Sequence, residues 1–180
     1  MATSRERVLR AAADFLGRRP NATQDEIAAA VGVSRATLHR YFAGRAALLE
    51  ALDQLAVAQM REALKTARWR DGPAPEAVQR LVTACEPVSG YLTLLYAQSQ
   101  DFDANQPHKD WAEIDSEIRQ LFERGQREGA FRTDLTAVWF TEAFYSLIAG
   151  AAWVIQVGRA APRDFTEMIA ELLLHGVSRS

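Results

Sequence analysis

A run of basic and small polar residues between positions 34 and 45 has the types and spacing needed to contact DNA. Residues 34–37 would form the first turn of a short helix, from which side chains can reach base edges in a major groove. Arg35 can donate two parallel hydrogen bonds to a guanine or a phosphate, and the methyl groups of Ala36 and Thr37 can contact thymine. We predict nine DNA-contacting residues: Thr23, Ser34, Arg35, Ala36, Thr37, His39, Arg40, Tyr41 and Arg45.

Two of these arginines, Arg35 and Arg45, are each predicted at the first position of a helix. The helix dipole disfavours a cation there by about 0.3–1 kcal/mol, whereas a phosphate bound to the same amide groups would reverse the sign of that effect. The alternative is that an exposed arginine tolerates such a position at little cost. Two such residues on either side of His39, Arg40 and Tyr41, which are better placed for phosphates, favour DNA contact.

Local signals place this run in a helix-turn-helix. Capping boxes at residues 3–6 and 23–26 begin the first two helices, and Gly32 ends the second. Ser34 then caps a third helix, which can extend only to about Tyr41. A short second helix, a glycine-containing turn and a basic third helix together describe the motif. Two apolar residues are expected to be buried against the first helix: Leu38 and Phe42.

The charge distribution agrees with a nucleic-acid partner, although the net charge of −2 does not. Residues 1–45 contain eight arginines and four acids, a net charge of +4, so the remaining residues carry −6. Attraction for phosphates is therefore concentrated at the N-terminal end of the chain.

The rest of the chain also has helical periodicity, which predicts an all-α fold of about nine helices. A long fourth helix should extend from residue 45 to about residue 67, followed by a break at residues 71–75. We expect an N-terminal three-helix DNA-binding domain, residues 1–46, and a C-terminal helical ligand-binding and dimerisation domain, residues 47–180.

Residues 32–42, followed by Ala43-Gly44-Arg45-Ala46-Ala47-Leu48, resemble the DNA-binding signature of the TetR family of regulators. The resemblance covers roughly residues 5–50. Arg45 stands where the family usually has a phosphate-contacting lysine, and His39 and Tyr41 exchange the family's usual residue types. Residues 128–135 are similar to the family's turn between its seventh and eighth helices. The resemblance implies nine helices, a homodimer, a palindromic operator and a small-molecule inducer, and repression is the family's commoner mode of action.

The C-terminal domain holds 13 of the 16 aromatic residues. Each of them individually could simply fill the core, but the resemblance implies a ligand cavity among these helices, and an apolar pocket with a few polar groups is the usual form of a small-molecule site. We therefore predict a small apolar or aromatic effector. The predicted lining residues are Met60, Tyr91, Tyr96, Trp111, Phe122, Trp139, Phe144 and Tyr145.

The last two helices are expected to form a homodimer. The eighth, predicted over residues 135–157, is apolar almost all round, and Gly150 with its alanine neighbours permits close approach of another backbone. The ninth adds a wide apolar stripe, so two copies of the pair would make a four-helix bundle. The alternative is that both helices are internal core.

Other classes of function find little support in the sequence. His108 and His175 lack neighbours at metal-ligand spacing, so we expect neither a metal nor a cofactor. The single cysteine, Cys85, is expected to be a buried apolar residue in a reducing cytoplasm. The most apolar segment, residues 143–155, is too short to cross a membrane. An all-helical enzyme and a protein-interaction module remain the alternatives, but we find no nucleophile beside a base and no phosphate-binding loop.

Overall fold

The computed structural model describes residues 4–97 and 109–177, which contain nine α-helices, so the predicted all-α class is confirmed. The helices are α1 (Ser4–Arg18), α2 (Gln24–Ala30), α3 (Arg35–Tyr41), α4 (Arg45–Ala67), α5 (Ala74–Ala84), α6 (Ser89–Ala97), α7 (Lys109–Arg127), α8 (Ala137–Gln156) and α9 (Phe165–Val177). Short 3₁₀ helices, Glu86–Val88 and Pro162–Asp164, precede α6 and α9.

The predicted caps of α2 and α3 are present. The Thr23 side chain accepts a hydrogen bond from the Glu26 amide while the Glu26 carboxylate accepts one from the Thr23 amide at 2.8 Å. The Ser34 hydroxyl accepts from the Thr37 amide at 3.1 Å, and Gly32 adopts the left-handed conformation with φ of 72°. These contacts satisfy amides that helix starts leave without partners, and they set α3 immediately after α2. The predicted cap at Thr3 lies outside the described residues.

Helix α4 connects the first three helices to the rest of the chain. Its 23 residues span about 35 Å, and it contacts α1, α5, α6 and α7. Leu48 and Leu52 are buried near its N-terminal end, and Met60 and Leu64 nearer its C-terminal end. The buried residues at both ends of this helix belong to one continuous hydrophobic core that extends from α1 to α9.

Helices α5 to α9 surround a second part of the core. Helix α6 contacts both α1 and α8, and α8 also contacts α7 and α9. Phe122 on α7 packs against Phe131 and Phe140, with ring centroids 6.0 and 5.7 Å away. Within α6 the side chains from residue 95 onward, including that of Tyr96, lie outside the described part of the structure.

The structure corrects two expectations about α8. Its 20 residues are long and apolar enough, by length and composition alone, to cross a membrane, with a mean hydropathy of 1.4. However, nine of its 20 side chains are buried against the other helices, and α8 contacts α1, α6, α7 and α9. It begins at Ala137, capped by Thr136, two residues after the predicted start at residue 135, and Asp134 before it accepts a hydrogen bond from Arg132 at 2.6 Å.

Candidate nucleic-acid interface and effector site

The first turn of α3 faces outward. Ser34, Arg35 and Ala36 are exposed and Thr37 is half-buried, while Leu38 and Phe42 are buried as predicted. Because two buried apolar residues hold the inner face of this short helix, its outer face is a rigid support for polar side chains. The remaining residues predicted on α3 also reach the surface: His39 and Arg40 are exposed and Tyr41 is half-buried.

Arg35 has an acidic partner within the motif. Its guanidinium lies 3.0 Å from the carboxylate of Asp25 on α2, and both side chains are largely exposed, at 71 and 64 %. Such an exposed pair is weak, so Arg35 can exchange Asp25 for another acceptor at little cost. The Arg35 guanidinium can then donate hydrogen bonds to a base edge or to a phosphate.

Thr23 and Arg45 have structural roles that the sequence did not reveal in full. Besides capping α2, Thr23 donates its backbone amide to the Glu26 carboxylate at 2.8 Å and its hydroxyl to the same carboxylate at 2.9 Å. These two hydrogen bonds, the backbone one first, hold the pKa of Glu26 below its ordinary value. The Arg45 guanidinium donates to the carbonyl oxygens of Pro20 and Ala22, the latter at 2.8 Å. DNA contact by Thr23 and Arg45 therefore stays a prediction.

The residues predicted to line a ligand pocket, apart from Tyr96, fall into three groups by their surroundings. Met60, Phe122 and Phe144 are completely buried among other side chains. Tyr91, Trp111 and Tyr145 lie together beside two carboxylates. The assignment of Trp139 is corrected, because its side chain is 59 % exposed on the outer face of α8 and cannot line an interior pocket.

The middle group forms an aromatic ladder, defined by Tyr91, Trp111 and Tyr145. The Tyr91 and Trp111 rings are nearly parallel with centroids 6.2 Å apart, and Tyr145 meets Trp111 edge-on at 6.5 Å. The Tyr91 hydroxyl and the Trp111 indole N–H both donate to the same oxygen of Asp53, each at 2.8 Å. The Tyr145 hydroxyl donates to Asp115 at 2.6 Å. The ladder thus has a carboxylate at each end.

The electrostatics of the ladder reflect burial beside negative charge. Burial, with a smaller contribution from Asp53, raises the pKa of Tyr91, so its hydroxyl stays a donor. Burial also raises the pKa of Asp115 above its ordinary value of 3.8, opposed by the Tyr145 hydrogen bond and by Arg119. A positive charge stacked on these rings would be favoured by the ring faces and by the carboxylates together. Neither Asp53 nor Asp115 was among the residues predicted for this site from the sequence.

A cleft of about 360 Å³ opens next to the ladder, between α1, α4 and α6. Tyr91 belongs to both, and the cleft adds Asp14, Glu86 and Arg10 around an apolar floor that includes Leu52. Burial raises the pKa of Asp14, which Arg18 partly offsets. The cleft therefore connects the ladder with α1, the first helix of the helix-turn-helix part.

Among residues 4–97 and 109–177, no group of three His, Cys, Asp or Glu side chains is placed to hold a metal ion. His175 is bound to Glu171 on the same helix, 3.1 Å from its carboxylate, and His108 lies outside the described ranges. Cys85 is completely buried, which raises the pKa of its thiol. Its sulfur lies 3.8 Å from that of Met60, as expected for a buried apolar side chain.

Large apolar side chains are exposed along the last two helices. We call this set the apolar face: Leu135, Val138, Trp139, Trp153, Val157 and Leu172. All of its members lie on α8 or α9 or within two residues of α8. An exposed set of this kind is typical of a protein–protein contact.

A short outward-facing helix on a three-helix support, joined by one long helix to a larger helical part, defines a helix-turn-helix transcriptional regulator. The chain belongs to the TetR family. The model of the bacterial regulatory proteins of the tetR family matches residues 8–52. Over 176 residues the chain is 34 % identical to the HTH-type transcriptional regulator NfxB of Pseudomonas aeruginosa, covering 96 % of this chain and 94 % of that protein.

Further similarities agree with this assignment. The HTH-type transcriptional repressor LfrR of Mycolicibacterium smegmatis is 38 % identical over 79 residues, 44 % of this chain and 42 % of that protein. The crystal structure of LfrR in complex with proflavine superposes with a TM-score of 0.72 at 23 % identity, covering 98 and 97 % of the two chains. A regulator from Saccharomonospora viridis in complex with choline gives 0.64 at 20 % identity, covering 98 % of each. The family consists of DNA-binding transcription regulators and is not an enzyme family, which implies an intracellular location.

Proposed function

We propose that this protein is a repressor that binds a palindromic operator as a homodimer and is released from it by a small effector. The observation that carries this proposal is the exposed first turn of α3, with Arg35 outside and Leu38 and Phe42 beneath it. The predicted DNA-contacting residues other than Arg45, whose guanidinium is bonded to the carbonyls of Pro20 and Ala22, are retained as part of the proposal. The name of LfrR as a repressor supports the sign of regulation.

Dimerisation through α8 and α9 is supported by the apolar face. Trp139 and Leu172, on different helices, are 59 and 67 % exposed, which is costly unless a partner covers them. Gly150 is exposed and has open space where a side chain would begin, so another backbone can approach it. A two-fold pairing of α8 and α9 would form a four-helix bundle and set the two α3 helices about 34 Å apart.

The proposed division into residues 1–46 and 47–180 falls in the first turn of α4. Since α4 is one helix across that boundary, a tilt of its C-terminal part would move α3 as well. The cytoplasm, where bacterial DNA is accessible, is the proposed location.

The effector is proposed to be a flat aromatic or quaternary ammonium cation, a revision of the apolar ligand expected from sequence. Asp53 is held by two neutral donors, so its negative charge remains available beside the Tyr91 and Trp111 rings. Choline is a quaternary ammonium ion, and proflavine is a flat aromatic molecule that becomes a cation on protonation. Their presence in two structural neighbours supports the same chemistry here.

Operator binding is tested by selecting bound sites from random duplexes and measuring affinity by fluorescence anisotropy. We expect an inverted repeat bound by a dimer, with an affinity that falls steeply with salt. A protein that enriches no sequence and binds no duplex at low salt would refute the proposal in favour of an interaction module.

The effector class is tested by calorimetry with proflavine and choline against neutral analogues of similar shape, anthracene and 3,3-dimethylbutanol. We expect binding of the cations only, weakened in Asp53→Asn and unchanged in Glu62→Gln, which alters an exposed acid elsewhere on α4. Equal binding of charged and neutral compounds would rule out recognition by charge.

A further inference from the structure

The side chain of Arg45 links the helix-turn-helix to the first turn of α4. Its two terminal nitrogens donate to the backbone carbonyls of Pro20 and Ala22, in the turn that connects α1 to α2. We propose that Arg45 is a positioning residue, which fixes the recognition helix relative to α4, and that it is not a phosphate ligand. This inference rests on the proposed DNA binding.

The connection before α4 needs such a brace because it is conformationally permissive. Gly44 precedes α4 with φ of 99°, in a region open mainly to glycine, and provides no side-chain cap for the helix. Phe42 before it is already extended. Residues 42–44 can therefore act as a hinge, and the two Arg45 hydrogen bonds oppose rotation at this end of α4, together with the burial of Leu48 and the contacts of α4 with α1.

The geometry of the contact requires arginine. A planar guanidinium presents donors in a fixed fork and can reach two carbonyls at once, whereas a lysine ammonium is a point charge on a flexible stem. Both terminal nitrogens of Arg45 are used within the fold, and the side chain is only partly exposed. Two of the guanidinium N–H donors are thus directed at the turn before α2, so this arginine supports the orientation of α3 by holding that turn.

A fixed joint has a consequence for operator recognition. With α4 and α3 moving as one body, the dimer can accept only one separation of half-sites, and a tilt of α4 is transmitted fully to the DNA. A loosened joint would let each α3 adjust independently. The loss of affinity when the half-site spacing is changed therefore distinguishes a positioning role of Arg45 from a phosphate contact.

The experiment compares wild type, Arg45→Lys and Arg45→Ala on the selected operator and on versions with one central base pair inserted or removed. Arg40→Ala serves as the phosphate comparison, and Arg163→Lys as the matched control at an exposed site in the C-terminal part. We expect both Arg45 variants to bind the selected operator about tenfold more weakly, as for loss of a charged hydrogen bond. Both should discriminate less between spacings, with an unchanged salt slope, while Arg40→Ala lowers that slope by about one.

Two results would overturn the inference. If Arg45→Lys binds like wild type while Arg45→Ala lowers the salt slope by about one, Arg45 is a phosphate ligand. If both variants bind every operator spacing with the affinity of wild type, the contact of Arg45 with Pro20 and Ala22 has no role in DNA binding. Hydrogen exchange of the DNA-free protein tests the Arg45 contact independently of DNA binding. The α2 amides should exchange faster in Arg45→Lys than in wild type. Equal exchange rates would refute the positioning role of Arg45 even if no operator is found.

Discussion

The ring of Phe131 lies directly against the backbone of Gly125. A Cβ atom at position 125 would be 2.1 Å from the Cδ2 atom of that ring, far inside any van der Waals contact. The amides of Ala130 and Phe131 both donate to the Gly125 carbonyl, at 2.9 and 3.1 Å, and Gly129 makes the turn with φ of 75°. The chain after α7 therefore turns back onto the last turn of that helix. The contact of Phe131 with Gly125 then sets the direction in which the chain leads into α8.

Replacement of Gly125 by alanine should destabilise the protein. The added methyl group must displace Phe131, which is buried against Phe122, and overpacking of this kind costs about 1–3 kcal/mol. Chemical denaturation of the purified variant measures the change in free energy of unfolding. Gly176→Ala is the control, since a Cβ there meets nothing within 4 Å, and equal stability of the two variants would contradict the proposed contact.

The ion pair between Arg35 and Asp25 should compete with DNA. Asp25→Asn removes both the partner and a negative charge near the phosphates, so we expect operator affinity to rise a few-fold, which is the size of an exposed ion pair. Arg35→Ala should cost about 1–3 kcal/mol if Arg35 reads a base, and should relax specificity at one position. Anisotropy titrations on the selected operator measure both. Weaker binding by Asp25→Asn would mean instead that Asp25 orients Arg35 for DNA.

A charge on the apolar face should dissociate the dimer. Trp139→Arg combined with Leu172→Arg places two guanidinium groups where the proposed interface excludes water, and we expect monomers at micromolar concentration by sedimentation equilibrium. Gln120→Arg, which adds one charge at an exposed position on α7, should remain dimeric. A double variant that sediments like wild type would exclude this face as the interface.

The pH dependence of effector binding should follow Asp115. Because burial raises its pKa above 3.8, the carboxylate takes up its proton at a higher pH than an exposed aspartate does. Cation affinity should therefore fall as pH drops through that raised pKa. Over the window between the raised pKa and 3.8, folded Asp115 binds the proton more readily than Asp115 in the unfolded chain, so the contribution of Asp115 to the stability of the free protein rises as pH falls.

Calorimetric titration of proflavine or choline over a pH series checks the first of these effects, and thermal unfolding over the same series checks the second. Asp115→Asn cannot ionise, so its affinity should be lower and nearly independent of pH in this range. A wild-type profile that matches the variant would show that Asp115 has no part in binding.

Features that depend on neighbours along the chain could be predicted without the structure. The capping box of Thr23 and Glu26, the cap at Ser34 and the left-handed Gly32 were predicted correctly because each is a hydrogen bond or a dihedral preference within about four residues. The outward direction of Arg35 follows from the same local register, since Leu38 must face inward.

Contacts between residues far apart in the chain could not be predicted, because they depend on how the helices pack. Asp53 contacts Trp111, 58 positions away, and Arg45 contacts Pro20, 25 positions away. Both contacts depend on how each packed helix is rotated about its axis, which the periodicity of apolar residues does not determine. The same rotation turns Trp139 outward although Phe140 beside it is buried. On a helix that is apolar all round, composition cannot indicate which face the core selects, because burial there depends on which neighbouring helices supply the opposing surface.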